Sequence, residues 1–457
     1  MSSIAVPTDA AQRPLWRVYL AFVGPMVLAN FLQSMSGTIN NVFVGQMLGT
    51  QALAAVSGLF PIVFFFISLV IGIGAGASVL IGQAWGAREF HKVKAIGGTA
   101  LAVGLILGVL VALFGGTFTQ AMLRALGTPA DIEPIALGYA RVMMFTMPAL
   151  LVFILYTQLM RGVGDTVTPL YALLLSTAVS CAFTPVLIRG WFGLPEMGAV
   201  GAAAAGLISF LSVLVFLSWF MLRKKHPLAP DMEMLRALRI DPKILRLVVR
   251  IGLPTGVQMI VVSLAEIAIL SLVNRFGSDA TAAYGAVNQV VNYVQFPALS
   301  IGITASILGA QAIGAGRTDQ LGDITRTGLK ITLVITGGLV LLGYLFSRHL
   351  IALFITSQPV IELAQTLLHV MLWGMLMFGL STVVGGVMRS SGTVLVPTAI
   401  SIFCVAGLEV PSAWVLGSHI GINGVWMAYP IAFAGMLVLQ AAYYRLVWRK
   451  QEIRRLV

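Results

Sequence analysis

Gly72–Ala87 reads GIGAGASVLIGQAWGA, and Gly302–Ala315 reads GITASILGAQAIGA. Six residues of the first stretch recur 228 positions later: Gly74, Ala77, Ser78, Gln83, Gly86 and Ala87 correspond to Gly302, Ala305, Ser306, Gln311, Gly314 and Ala315. Two further matches have the same spacing, because Gly49 corresponds to Gly277 and the pattern MRxxGxxxxP occurs at both 160–169 and 388–397. Three separate matches at one spacing indicate that the chain is a duplicated unit.

Composition indicates an integral membrane protein. Hydrophobic residues make up 58% of the chain and charged residues only 10%, whereas soluble domains carry about 25% charged residues. Twelve apolar stretches are each long enough to cross ~30 Å of hydrocarbon as a helix. They lie at 16–44, 53–82, 96–118, 134–157, 169–188, 199–222, 247–274, 281–311, 329–347, 362–386, 394–416 and 424–446. The first begins too late and is too long for a cleaved signal peptide, so we expect a retained helix.

The net charge of +12 is explained by membrane topology. With the N-terminus in the cytoplasm, 23 of the 28 Lys and Arg residues fall on cytoplasmic segments. The exceptions are Arg124, Arg141, Arg189, Arg275 and Arg348. This asymmetry follows the positive-inside rule and predicts a multi-pass protein of the cell membrane, typical of a prokaryotic inner membrane, with both termini cytoplasmic. We therefore expect anionic lipid, and not nucleic acid, as the partner of the basic residues.

The predicted fold is all-α, with twelve transmembrane helices in two six-helix lobes related by a parallel-topology repeat. Six spans per half give both halves the same orientation in the membrane, as in many secondary transporters with a solute site between the halves. We place the N-terminal lobe at residues 1–222, a basic cytoplasmic linker at 223–246 and the C-terminal lobe at 247–457. The linker is expected to be solvated, with a short amphipathic helix on the membrane surface as the alternative.

Several segments resemble the multidrug and toxic compound extrusion (MATE) family. They are Asn40–Gly45, Gly72–Ala87, Arg161–Pro169 and Gly302–Ala315. The resemblance covers all twelve spans and the repeat. It implies a monomeric, V-shaped molecule that works by alternating access and exports a solute in exchange for inward Na⁺ or H⁺ flow.

Glu266 is the main candidate for ion coupling, because it lies near the middle of the seventh span. A carboxylate at that depth costs several kcal/mol unless water, a cation or a hydrogen-bonding partner reaches it. It could therefore hold a proton or Na⁺, or it could be a buried acid bonded to a neighbouring helix. The resemblance favours coupling, since NorM-type members carry a coupling glutamate at the matching position of this span.

Polar side chains form a stripe on each of two spans. The eighth span carries Thr281, Tyr284, Asn288, Asn292 and Gln295 at helical spacing, and the first carries Asn30, Gln33, Gly37 and Asn41, with Asn40 beside them. Amides facing lipid would be unsatisfied, so both stripes must face protein or a wet cavity. We expect them, with Ser263 beside Glu266, to line a substrate cleft; bonding between helices is the alternative.

Two departures from the family pattern concern the coupling ion. Many relatives have an aspartate at the position of Asn40, which cannot titrate, and NorM-type members have another in the tenth span, near Phe378 here. Glu266 is therefore expected to act without a carboxylate partner, which favours H⁺ slightly over Na⁺. The secondary candidates are Glu409, which precedes Pro411 in the eleventh span, and His369 in the tenth. Glu409 could instead be a solvated residue near the outer side, and His369 a packing residue.

These observations predict an antiporter that exports amphiphilic, cationic organic compounds and needs no cofactor, and no metal other than Na⁺ at Glu266. A flippase for a lipid-linked precursor and an exporter of neutral or zwitterionic metabolites are the alternatives. An integral membrane enzyme is a remote one, because no cluster of polar catalytic groups lies at one membrane face. A passive channel is disfavoured by the duplicated, lobed build.

Overall fold

The computed structural model describes residues 14–125 and 128–457, which are helical apart from short connections and contain no strand. Helices α1 to α8 are Leu15–Leu48, Thr50–Gly58, Phe60–Gly86, Phe90–Ala125, Glu133–Gly162, Val167–Arg189, Gly198–Arg223 and Met232–Ala237. Helices α9 to α16 are Pro242–Asn274, Ser278–Gly314, Leu321–Leu345, Ser347–Ala352, Gln358–Ser390, Leu395–Ile402, Val410–Ile420 and Ile422–Leu446. A π-helical segment, Phe403–Glu409, joins α14 to α15.

Twelve helical stretches in this part of the chain are long and apolar enough to cross a membrane, which confirms the predicted spans. Two of them are composite, because α2 and α3 together form the second span and α14, the π-helical segment and α15 form the eleventh. Helices dominate because only a helix satisfies its backbone polar groups within one segment in hydrocarbon. Several helices extend past the apolar stretches, as the third span does at Phe90–Arg124.

Backbone conformation repeats together with the sequence. Gly49 and Gly277 precede α2 and α10 with φ values of 86° and 98°. Gly164 and Gly392 occupy the turns after α5 and α13 with φ values of 91° and 81°. Such positive φ angles strain any residue with a Cβ atom, so glycine at these repeat-equivalent positions is a requirement of the turns.

The chain folds into two compact units. The N-terminal unit comprises Leu28–Ile81 and Glu89–Leu253; the C-terminal unit comprises the described residues up to Val27, Gly82–Arg88 and Pro254–Val457. Helices α1, α3 and α9 are thus each divided between the units, whereas the sequence boundaries at 222 and 247 follow the repeat.

Two of the divided helices, α1 and α9, pack closely within their N-terminal portions. In the C-terminal unit, Tyr19 of α1 is fully buried and its hydroxyl donates to the backbone carbonyl of Ile324 at 2.8 Å. In the N-terminal unit, Gly252 of α9 packs so closely on α3 that a Cβ atom there would lie 3.1 Å from the Cα atom of Ile73. Close packing through small residues is a usual source of association between membrane helices.

The segment between α7 and α9 packs on the N-terminal unit, which differs from the expected solvated linker. Leu228 and Met234 are buried, and Lys94 of α4 forms salt bridges of 2.6 Å with both Asp231 and Glu233. Asp231 also caps α8 by accepting from the Met234 amide at 2.8 Å. Burial acts to raise the pKa of Asp231, but the hydrogen bond and charge of Lys94 and the backbone amide of Met234 together outweigh burial, and the pKa lies below its usual value.

Candidate functional site: carboxylates and tyrosines in the C-terminal unit

Four helical segments of the C-terminal unit bring titratable side chains together. Glu266 projects from α9, Tyr284 from α10, Glu409 from the π-helical segment and Tyr429 from α16. Electrostatic interactions connect Glu266 to Glu409, and both carboxylates to each tyrosine. We call these four residues the acid–tyrosine cluster.

The π-helical segment determines where Glu409 lies. Pro411 is four residues after Gly407 in the same continuous helical span. In an α-helix the proline ring would clash with the carbonyl four residues earlier and would leave it without a donor. A π-helical stretch changes this register, and such stretches recur at functional sites. As a result, the side chain of Glu409 is turned inward and is only 4% exposed.

The two carboxylates differ in environment. Glu266 lies at the edge of the buried face of α9 and is exposed, whereas Glu409 is buried. No hydrogen bond or ion pair joins either carboxylate to another residue of the described ranges. Two close carboxylates repel each other when both are ionised, so the cluster favours a shared proton or a bound cation.

The tyrosines link the cluster to the helix core. Their hydroxyl groups are 2.8 Å apart in a buried hydrogen bond. The Tyr284 ring stacks on Trp426 with 6.1 Å between centroids and 8° between planes. Such stacking and burial hold the phenols in position beside the acids.

The predicted polar stripe of the eighth span is only partly assembled into the cluster. Tyr284 belongs to the cluster and Asn288 is half-buried, while Thr281 donates to the Asn274 side chain at 2.8 Å, near the start of α10. Of the remaining predicted residues in this unit, Asn292 is exposed, and Gln295 and Ser263 are half-buried.

The predicted residues of the first span lie in the N-terminal unit. Gln33 and Asn41 are exposed and Asn40 is half-buried. These side chains can offer amide groups to a ligand or to water. Since they belong to a separate compact unit, their grouping with the C-terminal residues stays a prediction.

His369 is bonded apart from the cluster. Its Nε2 atom lies 3.0 Å from the Ser347 hydroxyl, and its ring stacks on Tyr344 with 4.4 Å between centroids. The Tyr344 hydroxyl in turn donates to the backbone carbonyl of His369 at 2.6 Å. These contacts join α11, α12 and α13, so the geometry of His369 is that of a residue that links helices.

The structure supplies the acid partner that the sequence comparison did not find for Glu266. Phe378, near the position of the NorM-type aspartate, packs on Phe433 with 5.3 Å between centroids and carries no charge. The second carboxylate comes instead from Glu409. Tyr429 and Trp426 were not singled out from the sequence at all; a proline beside an intramembrane acid was the one visible signal in this region.

The described residues contain no group of three or more His, Cys, Asp and Glu side chains arranged to hold a metal ion. The oxygen atoms best suited to bind a cation are those of the carboxylates and phenols of the acid–tyrosine cluster. Any Na⁺ bound there would need further ligands from backbone carbonyls or water.

Twelve apolar helices, a duplicated sequence and an intramembrane acid cluster define a multi-pass protein of the transporter class. The sequence model of the MatE family matches residues 25–186 and 254–415, one range in each repeat. Because these ranges cover most of the chain, the protein belongs to the MatE family.

Individual relatives agree with this assignment. The chain is 45% identical over 453 residues to the "Probable multidrug resistance protein YoeA" of Bacillus subtilis (strain 168), covering 98% of each chain. It is 22% identical over 447 residues to the "Multidrug export protein MepA" of Staphylococcus aureus (strain MSSA476), covering 96% of this chain and 97% of that one.

Solved structures share the fold. A MATE crystal structure in complex with MaL6 matches with a TM-score of 0.88 and 20% identity over 98% of both chains. A MOP superfamily transporter from Pyrococcus furiosus Vc1 (DSM3638) matches with a TM-score of 0.86, also at 20% identity and 98% coverage of both chains. The predicted fold class is confirmed.

Proposed function

We propose that this protein is a secondary active antiporter that exports amphiphilic organic compounds, favouring cationic ones, in exchange for H⁺ by alternating access. The observation that carries this proposal is the electrostatic interaction between Glu266 and the buried Glu409 within the C-terminal unit. Membership of the MatE family supports the transport class, and the name of the 45% identical relative supports multidrug export.

The acid–tyrosine cluster supports coupling to a cation for an electrostatic reason. Two ionised carboxylates that interact raise each other's energy, and Glu409 is buried, so one positive charge stabilises the site. Loss of that charge would restore the repulsion and favour a rearrangement of the helices that carry the acids. A coupling ion must produce such a difference between two states.

A proton fits the cluster better than Na⁺. One proton on either carboxylate removes the repulsion and needs no further ligand. Na⁺ is a hard cation that prefers several oxygen ligands, yet the hydroxyl groups of Tyr284 and Tyr429 already bond to each other. We therefore propose H⁺ as the coupling ion, with Na⁺ as the alternative.

The substrate class rests on charge and on exposed polar groups. Carboxylates attract organic cations, and the exposed amides Gln33, Asn41 and Asn292 can bind polar groups of a substrate. Export of neutral or zwitterionic metabolites, or flipping of a lipid-linked precursor, would use the amides without the carboxylates. Competition experiments with these compound classes distinguish the alternatives.

The test is transport by the full chain in proteoliposomes, with a fluorescent organic cation and an imposed pH or Na⁺ gradient. We expect H⁺-driven uptake into vesicles of suitable orientation, and its loss in Glu266→Gln and in Glu409→Gln. Glu362→Gln is the matched control, because Glu362 is an exposed acid at the start of α13 in the same unit. It should transport like the wild type.

Three results would contradict parts of this proposal. Transport by both glutamine variants at the wild-type rate would remove the acid–tyrosine cluster from coupling. Transport driven by Na⁺ alone would replace the ion. No flux of any organic cation under either gradient would refute the substrate class while leaving the family assignment intact.

A further inference from the structure

A polar cavity of about 90 Å³ lies inside the C-terminal unit, apart from the acid–tyrosine cluster. A water molecule has roughly 30 Å³ of liquid volume, so the space suits a few water-sized groups. Five helical spans contribute to its lining, which includes Gln258, Ser381, Thr382, Arg389, Thr398 and Gln440. The lining thus combines several polar side chains with apolar ones such as Phe378 and Met436, in a chain that is otherwise strongly apolar.

Arg389 is the one charged residue of this lining. Its side chain is half-buried, and no hydrogen bond or ion pair connects it to another residue in the described ranges. Its repeat equivalent in the N-terminal unit, Arg161, donates to the side-chain oxygen of Gln158 at 2.9 Å. The residue equivalent to Gln158 is Gly386, so the second repeat lacks this acceptor.

Packing explains why the acceptor is missing. Gly386 lies directly against the backbone of Gly302, and a Cβ atom there would be 3.2 Å from the Gly302 carbonyl carbon and closer still to its oxygen. In the first repeat, the equivalent Gly74 leaves room for the Gln158 side chain instead. The two repeats thus resolve the same helix contact in opposite ways, and Arg389 is left without a protein acceptor.

The residues that line the cavity are also more polar than their equivalents in the first repeat. Four apolar positions of the first repeat carry hydroxyl residues in the second: Phe153, Ile154, Leu170 and Leu173 correspond to Ser381, Thr382, Thr398 and Ser401. Arg161 and Arg389 are thus equivalent cations in different surroundings. The polar cavity is a feature built into the second repeat.

The unused hydrogen-bonding groups define the chemistry of a ligand. Thr398 and Gln440 are each only 4% exposed, and the Thr398 hydroxyl and the Gln440 Oε1 atom have no hydrogen-bond partner among the described residues. The Gln440 amide nitrogen donates to Ser401 at 3.2 Å. A guanidinium and a free hydroxyl favour a negative ligand, and buried charge of this kind normally has a counter-charge.

We propose that this cavity binds a small monovalent anion, of the class of chloride or bicarbonate, with Arg389 as its cationic partner and Thr398 as a hydrogen-bond donor. An O–H group of the ligand, or of a water bound with it, supplies the donor that the Gln440 Oε1 atom lacks. Phe378 and Met436 line the cavity and also pack against the π-helical segment that carries Glu409. These two side chains therefore lie between the anion and that segment.

The test uses the purified full chain in phosphatidylcholine nanodiscs. Sodium gluconate is replaced by sodium chloride at constant sodium concentration and ionic strength, while the melting temperature and the ³⁵Cl NMR line width are recorded. We expect a saturable rise in melting temperature, because a ligand that binds only the folded state stabilises it. Arg161→Gln should retain the response and Arg389→Gln should lose it.

A second variant keeps the test decisive if Arg389→Gln does not fold. Thr398→Val preserves shape and removes one hydrogen bond to the ion, so the apparent chloride affinity should fall about tenfold. Equal melting temperatures in chloride and gluconate for the wild type, or an unchanged response in Thr398→Val together with Arg389→Gln, would overturn the proposal.

A lipid phosphate could supply the same anionic chemistry. Nanodiscs that contain phosphatidylglycerol distinguish the sources, because a headgroup in the cavity would compete with chloride and abolish its effect in an Arg389-dependent way. That result would assign the site to a lipid headgroup, while an unaltered chloride response would assign it to a free ion.

Discussion

The reciprocal crossing of α3 and α10 gives a prediction whose size follows from the structure. A Cβ atom at Gly86 would lie 2.8 Å from the carbonyl carbon of Gln311, and one at Gly314 would lie 2.6 Å from the carbonyl carbon of Gln83. Carbon atoms prefer separations of about 3.5–4.0 Å. An alanine at either position must therefore push two backbones apart by roughly 1 Å.

We expect Gly314→Ala to destabilise the protein by about 1–3 kcal/mol through overpacking, towards the upper end because the obstacle is backbone. Gly338→Ala is the matched control, since a Cβ atom at Gly338 in α11 would have nothing within 4 Å. This control should be neutral, or stabilised by up to about 1 kcal/mol from higher helix propensity. Gly86→Ala should behave like Gly314→Ala, because the contact is reciprocal.

The assay is the apparent melting temperature of detergent-solubilised protein, measured by tryptophan fluorescence. Once one alanine has separated the helices, the second should cost less, so the double variant should be less destabilised than the sum of the single ones. If Gly314→Ala melts with or above Gly338→Ala, the close crossing is not present in the folded protein and the reasoning fails.

Three further outcomes are expected. Pro411→Ala should let the π-helical segment adopt an α-helical register and turn Glu409 away. H⁺-driven transport should then fall while the melting temperature changes little. Transport at the wild-type rate would contradict this prediction. Asp165→Asn should lower the free energy of unfolding by about 3 kcal/mol in a melting assay. The substitution leaves the buried partner His226, 3.5 Å away, without its carboxylate. Burial acts to raise the pKa of Asp165, but the 3.5 Å contact with His226 and the hydrogen bond from the Thr168 amide together outweigh burial, and the net pKa is below its usual value. The contribution of Asp165 to stability is thus complete above the unfolded-chain pKa of about 3.9 and is lost as pH falls towards the lower folded pKa. Asp165→Asn should lack this loss of stability at acidic pH. If its stability changes with pH as in the wild type, Asp165 is not the group responsible. Lys94→Met should lower the free energy of unfolding by no more than about 1 kcal/mol in the same assay, since its acidic partners are largely solvated. A larger loss of stability would show that these salt bridges anchor α8.

The predicted architecture agrees with the structure for a simple physical reason. Hydrocarbon accepts only apolar segments whose backbone is internally bonded, so length and hydropathy alone locate the spans. Duplication was equally visible, and the positive φ angles of Gly49 and Gly277 show that the match extends to backbone geometry. Most charged residues of the linker are exposed. The burial of Leu228 and Met234 was not predicted, because they look like ordinary apolar residues of a polar stretch until their packing is known.

The sequence by itself determined the twelve spans, the repeat and the presence of an intramembrane acid at Glu266, since each depends on local composition or on a fixed spacing along the chain. Tertiary structure decided which groups meet: that Glu409 is buried and interacts with Glu266, that Tyr429 bonds to Tyr284, and that Arg389 lines a cavity with no acceptor among the described residues. Those contacts join residues from different helices, and their geometry depends on helix rotation and backbone approach. Helical periodicity specifies a face of one helix but not the neighbour that this face will contact.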